Sequence, residues 1–253
     1  MNKHNILYAT IGLLAGFIIG FIFANQVNRG PADVTRSIEP SPSANTAQSG
    51  GNVARDARGG TPGSPSPDEI REAIVKADAR AEDVALQRNF GMVLYRYANQ
   101  TQSAEFLPAV ARMLKRAYDA NPKDRDLAVA LGNVFFDIGQ ASDPASFADA
   151  REYYRKALEM KADDPEVRTD LGLTYYFGQP SEPVRAIAEY RKSLKLDPRH
   201  EPTLQNLAAA LISAGQTQEA QKIIDQLSGL NPQNTALPNL RAQMALSRNR
   251  NPE

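Results

Sequence analysis

The sequence predicts an all-α chain: an apolar N-terminal helix, a linker without regular structure, then a solenoid of helix-turn-helix repeats closed by a capping helix. Three observations carry this. Residues 6–24 form an apolar run without a charge. Residues 25–67 are dominated by Pro, Ser, Gly, Ala, Thr and Asn. From residue 68 to 250, short amphipathic helical patterns recur in pairs with the same order of small and large side chains.

Composition removes several functions before any element is placed. The 253 residues leave room for one or two domains. Formal net charge is zero and Lys and Arg form no long cluster, which argues against a nucleic-acid partner. There is no cysteine, hence no disulfide, thiolate nucleophile, Cys-based zinc site or lipid-modified cysteine. Of two histidines, His4 and His200, only His200 can lie in a folded domain.

After a short tail, residues 1–5, the run ILYATIGLLAGFIIGFIFA spans roughly 28 Å as a helix, close to the hydrocarbon thickness of a bilayer. Tyr8 suits an interfacial anchor. The rival is a cleavable signal peptide. Its apolar core is usually shorter, and cleavage after Ala24 would put Ile22 where a small residue is preferred. An uncleaved signal anchor is therefore expected. Positive charges are nearly balanced, Lys3 before the span and Arg29 and Arg36 after it. The short tail and long C-terminal region favour a single-pass protein of the cytoplasmic (inner) membrane with its solenoid on the extracytoplasmic side. Gly12, Gly16 and Gly20 share one face of this helix and permit close helix association, hence a homodimer. Glycine is also common in membrane helices generally.

The linker 25–67 cannot bury enough apolar surface to offset its ordering entropy. As a flexible coil it reaches roughly 35 Å root-mean-square, the dimensions of a tether. Its Gly59-Gly60 and Gly63 follow no strand and precede no Gly-Lys-Ser/Thr, so no phosphate loop is read there.

Ser66-Pro67-Asp68-Glu69 is a helix start, with Ser66 as N-cap and Glu69 completing a capping box. The helix it opens aligns Ile70, Ile74 and Val75, and the next aligns Val84, Leu86, Phe90, Val93 and Leu94. Four copies of a repeat follow, over about 84–124, 125–164, 165–200 and 201–234. Their first helices carry Phe90-Gly91 and Leu94, Leu131-Gly132 and Phe135, Leu171-Gly172 and Tyr175, and Leu207-Ala208 and Leu211. Their second helices carry Val110, Leu114 and Ala117; Ala150, Tyr154 and Ala157; Ala186, Tyr190 and Ser193; Ala220, Ile224 and Leu227. Leu and the aromatic four residues on share a helical face. The small residues let helices approach. A closing Pro (Pro122, Pro198, Pro232) stops the second helix and turns the chain into the next copy.

This order of residues resembles the tetratricopeptide repeat, a unit of about 34 residues whose copies must stack to bury their apolar faces. Some departures stand out. The first two copies have longer intra-repeat turns, Asn99 to Phe106 and Gln140 to Phe147, and the third a shorter extension, Gly178 to Pro183. Ala162 replaces the closing Pro in the second, Ala208 the glycine in the fourth, and the family's tryptophan has no counterpart. Residues 235–248, with Leu237, Leu240, Met244 and Leu246, are expected to cap the stack.

The resemblance implies a protein-binding scaffold whose first helices line a concave groove. Carried onto this sequence, the groove residues are Arg88, Asn89, Met92 and Tyr95, then Val129, Asn133 and Phe136, then Thr169, Leu173 and Tyr176, then Gln205, Asn206 and Ala209. Aromatics, amides and an Arg suit an extended or helical peptide. The subfamily that clamps chaperone tails needs Asn where Met92 and Ala130 stand, so that ligand is not implied. No cofactor, metal or catalytic site is expected: His200 reads as a solvated turn histidine, and Asp124, Asp126, Asp163 and Asp164 as turn and helix-start residues. The function expected is a non-enzymatic adaptor or assembly factor. The alternative is an accessory subunit of a membrane enzyme complex, similar to the repeat-bearing subunits of cytochrome c maturation, which present a substrate polypeptide.

Overall fold

The computed structural model describes residues 65–250. The apolar run 6–24 with Gly12, Gly16 and Gly20, and linker residues 25–64, lie outside the described residues. No helix among the described residues is long and apolar enough to cross a membrane. These residues form ten α-helices, one 3-10 turn (Ala104–Phe106) and no strand. The helices are α1 (Pro67–Asp78), α2 (Val84–Thr101), α3 (Leu107–Ala120), α4 (Arg125–Ala141), α5 (Ser146–Met160), α6 (Pro165–Phe177), α7 (Pro183–Leu196), α8 (Glu201–Ser213), α9 (Thr217–Leu230) and α10 (Leu237–Arg250).

The chain divides into two units, Met1–Ala73 and Ile74–Glu253. In the first, the capping box at Ser66 forms: the Glu69 amide donates to Ser66 Oγ at 3.3 Å, and the Ser66 amide to the Glu69 carboxylate at 2.6 Å. In the second, α2, α4, α6 and α8 act as first (A) helices and α3, α5, α7 and α9 as second (B) helices. Each A helix packs on the B helix after it, each B helix on the next A helix, and α10 on α8 and α9.

Aspartate starts three of the four A helices. Asp83, Asp124 and Asp164 accept the amides of Leu86, Leu127 and Val167 at 2.9, 3.1 and 3.0 Å. Each such cap stabilises its helix by about 1 kcal/mol. At the other end of the repeat, Lys161, Asp197 and Asn231 swing the chain out in extended conformation after their B helices. Lys161 does so before Ala162, with φ −147° and ψ 100°, so the second repeat turns without its proline.

The glycines of the A helices sit where a ring or branched chain from the B helix crosses. A Cβ on Gly91, Gly132 or Gly172 would stand 2.7 Å from Leu114, 2.5 Å from Tyr154 or 2.4 Å from Tyr190. The fourth repeat has Ala208 and Ile224 at these positions, both wholly buried, so a smaller side chain than Tyr accompanies the added methyl. The B-helix chains Leu114, Tyr154, Tyr190, Ile224 and Leu227 are at most 1% exposed, and full burial of each aliphatic one contributes about 1.5–3 kcal/mol.

Four apolar residues expected on buried faces are exposed: Val75, Val84, Val93 and Leu246, at 68, 41, 57 and 55%. Val75 and Leu246 each lie two residues, about 200° of helical turn, from a buried partner, Ala77 and Met244. Val84 is the first residue of α2. The buried stripe of α2 is Gln87, Gly91, Leu94 and Ala98, which leaves Val93 on the outside. Gln87 is wholly buried because it is fully engaged. Its amide donates to the carbonyls of Ala77 (2.8 Å) and Arg80 (3.1 Å), and its oxygen accepts from Arg116 at 3.1 Å.

Candidate partner-binding face

The A helices are tied side to side by polar joints near their N-terminal ends. Arg88 donates to Asp124 at 3.3 Å, and Arg125 pairs with Asp164. The two aspartates are the helix caps of α4 and α6, so each serves its own helix and the preceding repeat. At the third junction His200, the N-cap position of α8, lies between Glu166 (Nε2 to Oε2, 2.9 Å) and Thr203 (Nδ1 to Oγ1, 2.6 Å). Beyond it, Asn231 and Asn234 donate to Glu201 at 2.9 and 2.8 Å.

His200 is therefore not the solvated turn residue expected. Its side chain is 15% exposed and opens onto a buried hydroxyl network. The Thr203, Thr169 and Ser193 hydroxyl oxygens lie 2.5–3.1 Å from one another, and Thr169 and Ser193 both donate to the Pro165 carbonyl, at 2.7 and 2.8 Å. This explains Ser193 at a position that is Ala in repeats one and two: the hydroxyl has three partners and no desolvated orphan.

Near the C-terminal ends of the A helices a second ladder repeats. The residue four after each glycine position meets the residue five after the next. Tyr95 donates to Asp137 at 2.6 Å, Phe136 packs edge-on to Phe177 at 6.1 Å, and the Tyr176 hydroxyl lies within electrostatic reach of Ser213. Burial raises the ionisation of Tyr176 above its ordinary range, with Ser213 opposing. Phe147 joins the Phe136–Phe177 pair, at 5.4 and 6.4 Å.

The thirteen expected groove residues thus fall into two sets. Arg88, Asn89, Met92, Tyr95, Val129, Asn133, Phe136 and Tyr176 keep part of their surface in solvent. Thr169, Leu173, Gln205, Asn206 and Ala209 are buried, Thr169 within the hydroxyl network. The accessible part of this face is concentrated on the first two repeats. Asn133 also accepts from Tyr154 Oη at 2.8 Å. The equivalent position in the third repeat is Leu173, which cannot accept, and the buried Tyr190 hydroxyl has no hydrogen-bond partner among the described residues. Burial pushes its ionisation well above the usual tyrosine range.

Residues 180–244 match the tetratricopeptide repeat family. The fold is similar to those of solved structures of MamA and YrrB. MamA MSR-1 is 22% identical with a TM-score of 0.51, the match covering 66% of this chain and 86% of that one. MamA AMB-1 is 23% identical with a TM-score of 0.50, covering 68% and 83%. YrrB, a TPR protein with an unusual peptide-binding site, is 19% identical with a TM-score of 0.50, covering 69% and 84%. No curated protein matches the sequence significantly.

Proposed function

We propose that this chain is a membrane-tethered, non-enzymatic tetratricopeptide-repeat scaffold that binds a protein or peptide along its A-helix face, as an adaptor or assembly factor. The observation that carries this is the accessible set Arg88, Asn89, Met92, Tyr95, Asn133 and Phe136. It puts aromatic, thioether, amide and guanidinium groups on adjacent, rigidly joined helices. Rigid placement lowers the ordering cost of capture. YrrB, of similar fold, is a peptide-binding protein, which supports the reading. The apolar run 6–24 and linker 25–67 supply the anchor and tether, with Gly12, Gly16 and Gly20 as a face for homodimerisation. In this reading the solenoid stands outside the cytoplasm, as the short tail and long C-terminal region of the sequence favour.

Photo-crosslinking from single positions of the full chain in membranes tests the binding face. A crosslinking amino acid at Met92 or Asn133 is expected to capture one protein partner, and the same group at exposed Val75 none. Capture from Val75 with none from Met92 or Asn133 would move the site elsewhere. Protease added to intact spheroplasts tests the tether: release of a stable fragment of about 20 kDa, as roughly 185 residues would give, is expected. Protection until the membrane is dissolved would place the solenoid in the cytoplasm.

A further inference from the structure

The chain is neutral overall, but its positive charge is unevenly met. Three arginines surround the ring of Tyr175 on α6: Arg151 and Arg155 from α5 and Arg185 from α7, with guanidinium carbons 5.1, 6.0 and 5.8 Å from the ring centroid. Among the described residues one carboxylate answers them. Glu182 accepts from Arg151 at 3.3 Å and from Arg185 at 2.8 Å. Arg155 donates to the Tyr175 hydroxyl and makes no ion pair among the described residues. The neighbouring carboxylate Glu152 is engaged by Lys156.

Elsewhere on the B helices the arrangement is different. Arg112 and Arg116 share Asp78, each at 2.6 Å. Arg191, which occupies in α7 the repeat position of Arg155 in α5, meets both oxygens of Glu219 on α9 at 2.8 Å. At the α5–α6–α7 junction the next repeat offers Arg155 a phenol in place of that carboxylate. The ring face attracts the guanidiniums and holds them together, and among the described residues the single Glu182 carboxylate offsets only part of the charge of three arginines. Arg155 is exposed, and Arg185 is 65% exposed.

We propose that this surface docks an acidic segment of a protein partner, an extended stretch carrying carboxylates on alternate residues. Side chains two apart on an extended chain lie on one face, roughly 7 Å from each other. Arg155 and Arg185 both lie within 6.0 Å of the Tyr175 ring centroid, and in the proposed complex one carboxylate engages Arg155 while the next engages Arg185. Planar guanidinium forks favour bidentate carboxylates, and Glu182 already shows that this cluster takes a carboxylate, one oxygen to Arg151 and the other to Arg185. The surface is separate from the A-helix face and does not rest on the function proposed for it.

The test is anisotropy of a fluorescein-labelled (Gly-Glu)3 peptide titrated with the full chain at low salt. Saturable binding is expected, weakened about tenfold or more in Arg155→Gln/Arg185→Gln, as loss of two charge-assisted contacts would give. It should be unchanged in Lys195→Gln/Lys222→Gln, which removes equal charge outside the cluster. Circular dichroism establishes that both variants are folded. Absence of saturable binding, or equal weakening in the two variants, overturns the proposal. Displacement of the peptide by an equal concentration of inorganic phosphate would also overturn it, revealing a simple anion site.

Discussion

Tyr95 reaches from the first repeat into the second, its hydroxyl donating to the Asp137 carboxylate at 2.6 Å. The bond joins two A helices whose sequences meet only through stacking. Tyr95→Phe keeps the ring and removes the donor. The expected loss is about 1.5–3 kcal/mol, the range for a hydrogen bond to a charged group, read as a shift of the urea midpoint. An unchanged midpoint would mean that Tyr95 does not help to hold the repeats together.

Close helix approach at the glycines predicts a split between two alanine substitutions. Gly172→Ala sets a Cβ 2.4 Å from the Tyr190 ring, and that ring is wholly buried. Overpacking of about 1–3 kcal/mol should outweigh the helix-propensity gain of about 1 kcal/mol. Gly229→Ala, on α9 with open space around the new methyl, should gain about 0.5–1 kcal/mol. Equal effects in urea unfolding would contradict the packing described.

Tyr154 and Tyr190 occupy the same repeat position with opposite hydrogen-bond fates. Tyr154→Phe removes a bond to Asn133 and should cost about 0.5–1.5 kcal/mol. Tyr190→Phe removes a buried hydroxyl that has no partner among the described residues and should be neutral or stabilising by about 1 kcal/mol. Paired thermal melts decide the matter: destabilisation by Tyr190→Phe as large as by Tyr154→Phe would show that the hydroxyl has a partner.

Hydrogen bonding from Arg112, with Arg116 beside it, holds the Asp78 carboxyl below its ordinary range despite partial burial. A depressed folded-state value stabilises the fold above the unfolded value, about 3.9, and the contribution is lost as pH falls through the folded value. Asp78→Asn should therefore be less stable at pH 7 and show a shallower loss between about pH 5 and 2. Parallel acid limbs in variant and parent would refute the linkage.

The repeat positions were legible in the sequence because their logic is local. A glycine beside a leucine, an aromatic three or four residues on, and a turn after a fixed length all fall within one unit. The joints were not. Arg88 and Asp124 are 36 residues apart, and Tyr95 and Asp137 are 42 apart; nothing in the spacing of either residue points to the other. His200 looked like a turn residue because its partner Glu166 lies a whole repeat earlier. Gln87 broke the apolar pattern of α2, yet its three partners make it the buried residue at that level, with Leu86 only partly covered. The face expected to bind draws residues from all four repeats. The third and fourth repeats close theirs with Leu173, Gln205 and Asn206, a difference that depends on neighbours the sequence does not specify.

The helix-start aspartates Asp124 and Asp164 answer to two masters, an amide of their own helix and a guanidinium from the repeat before. Starting a helix is its unfavourable step, and here the group that eases it is gripped by the unit on the amino-terminal side. Assembly along the array thus acquires a direction. In synthesis from the amino end, each arginine emerges ahead of the aspartate it will hold, and order in one unit seeds the next.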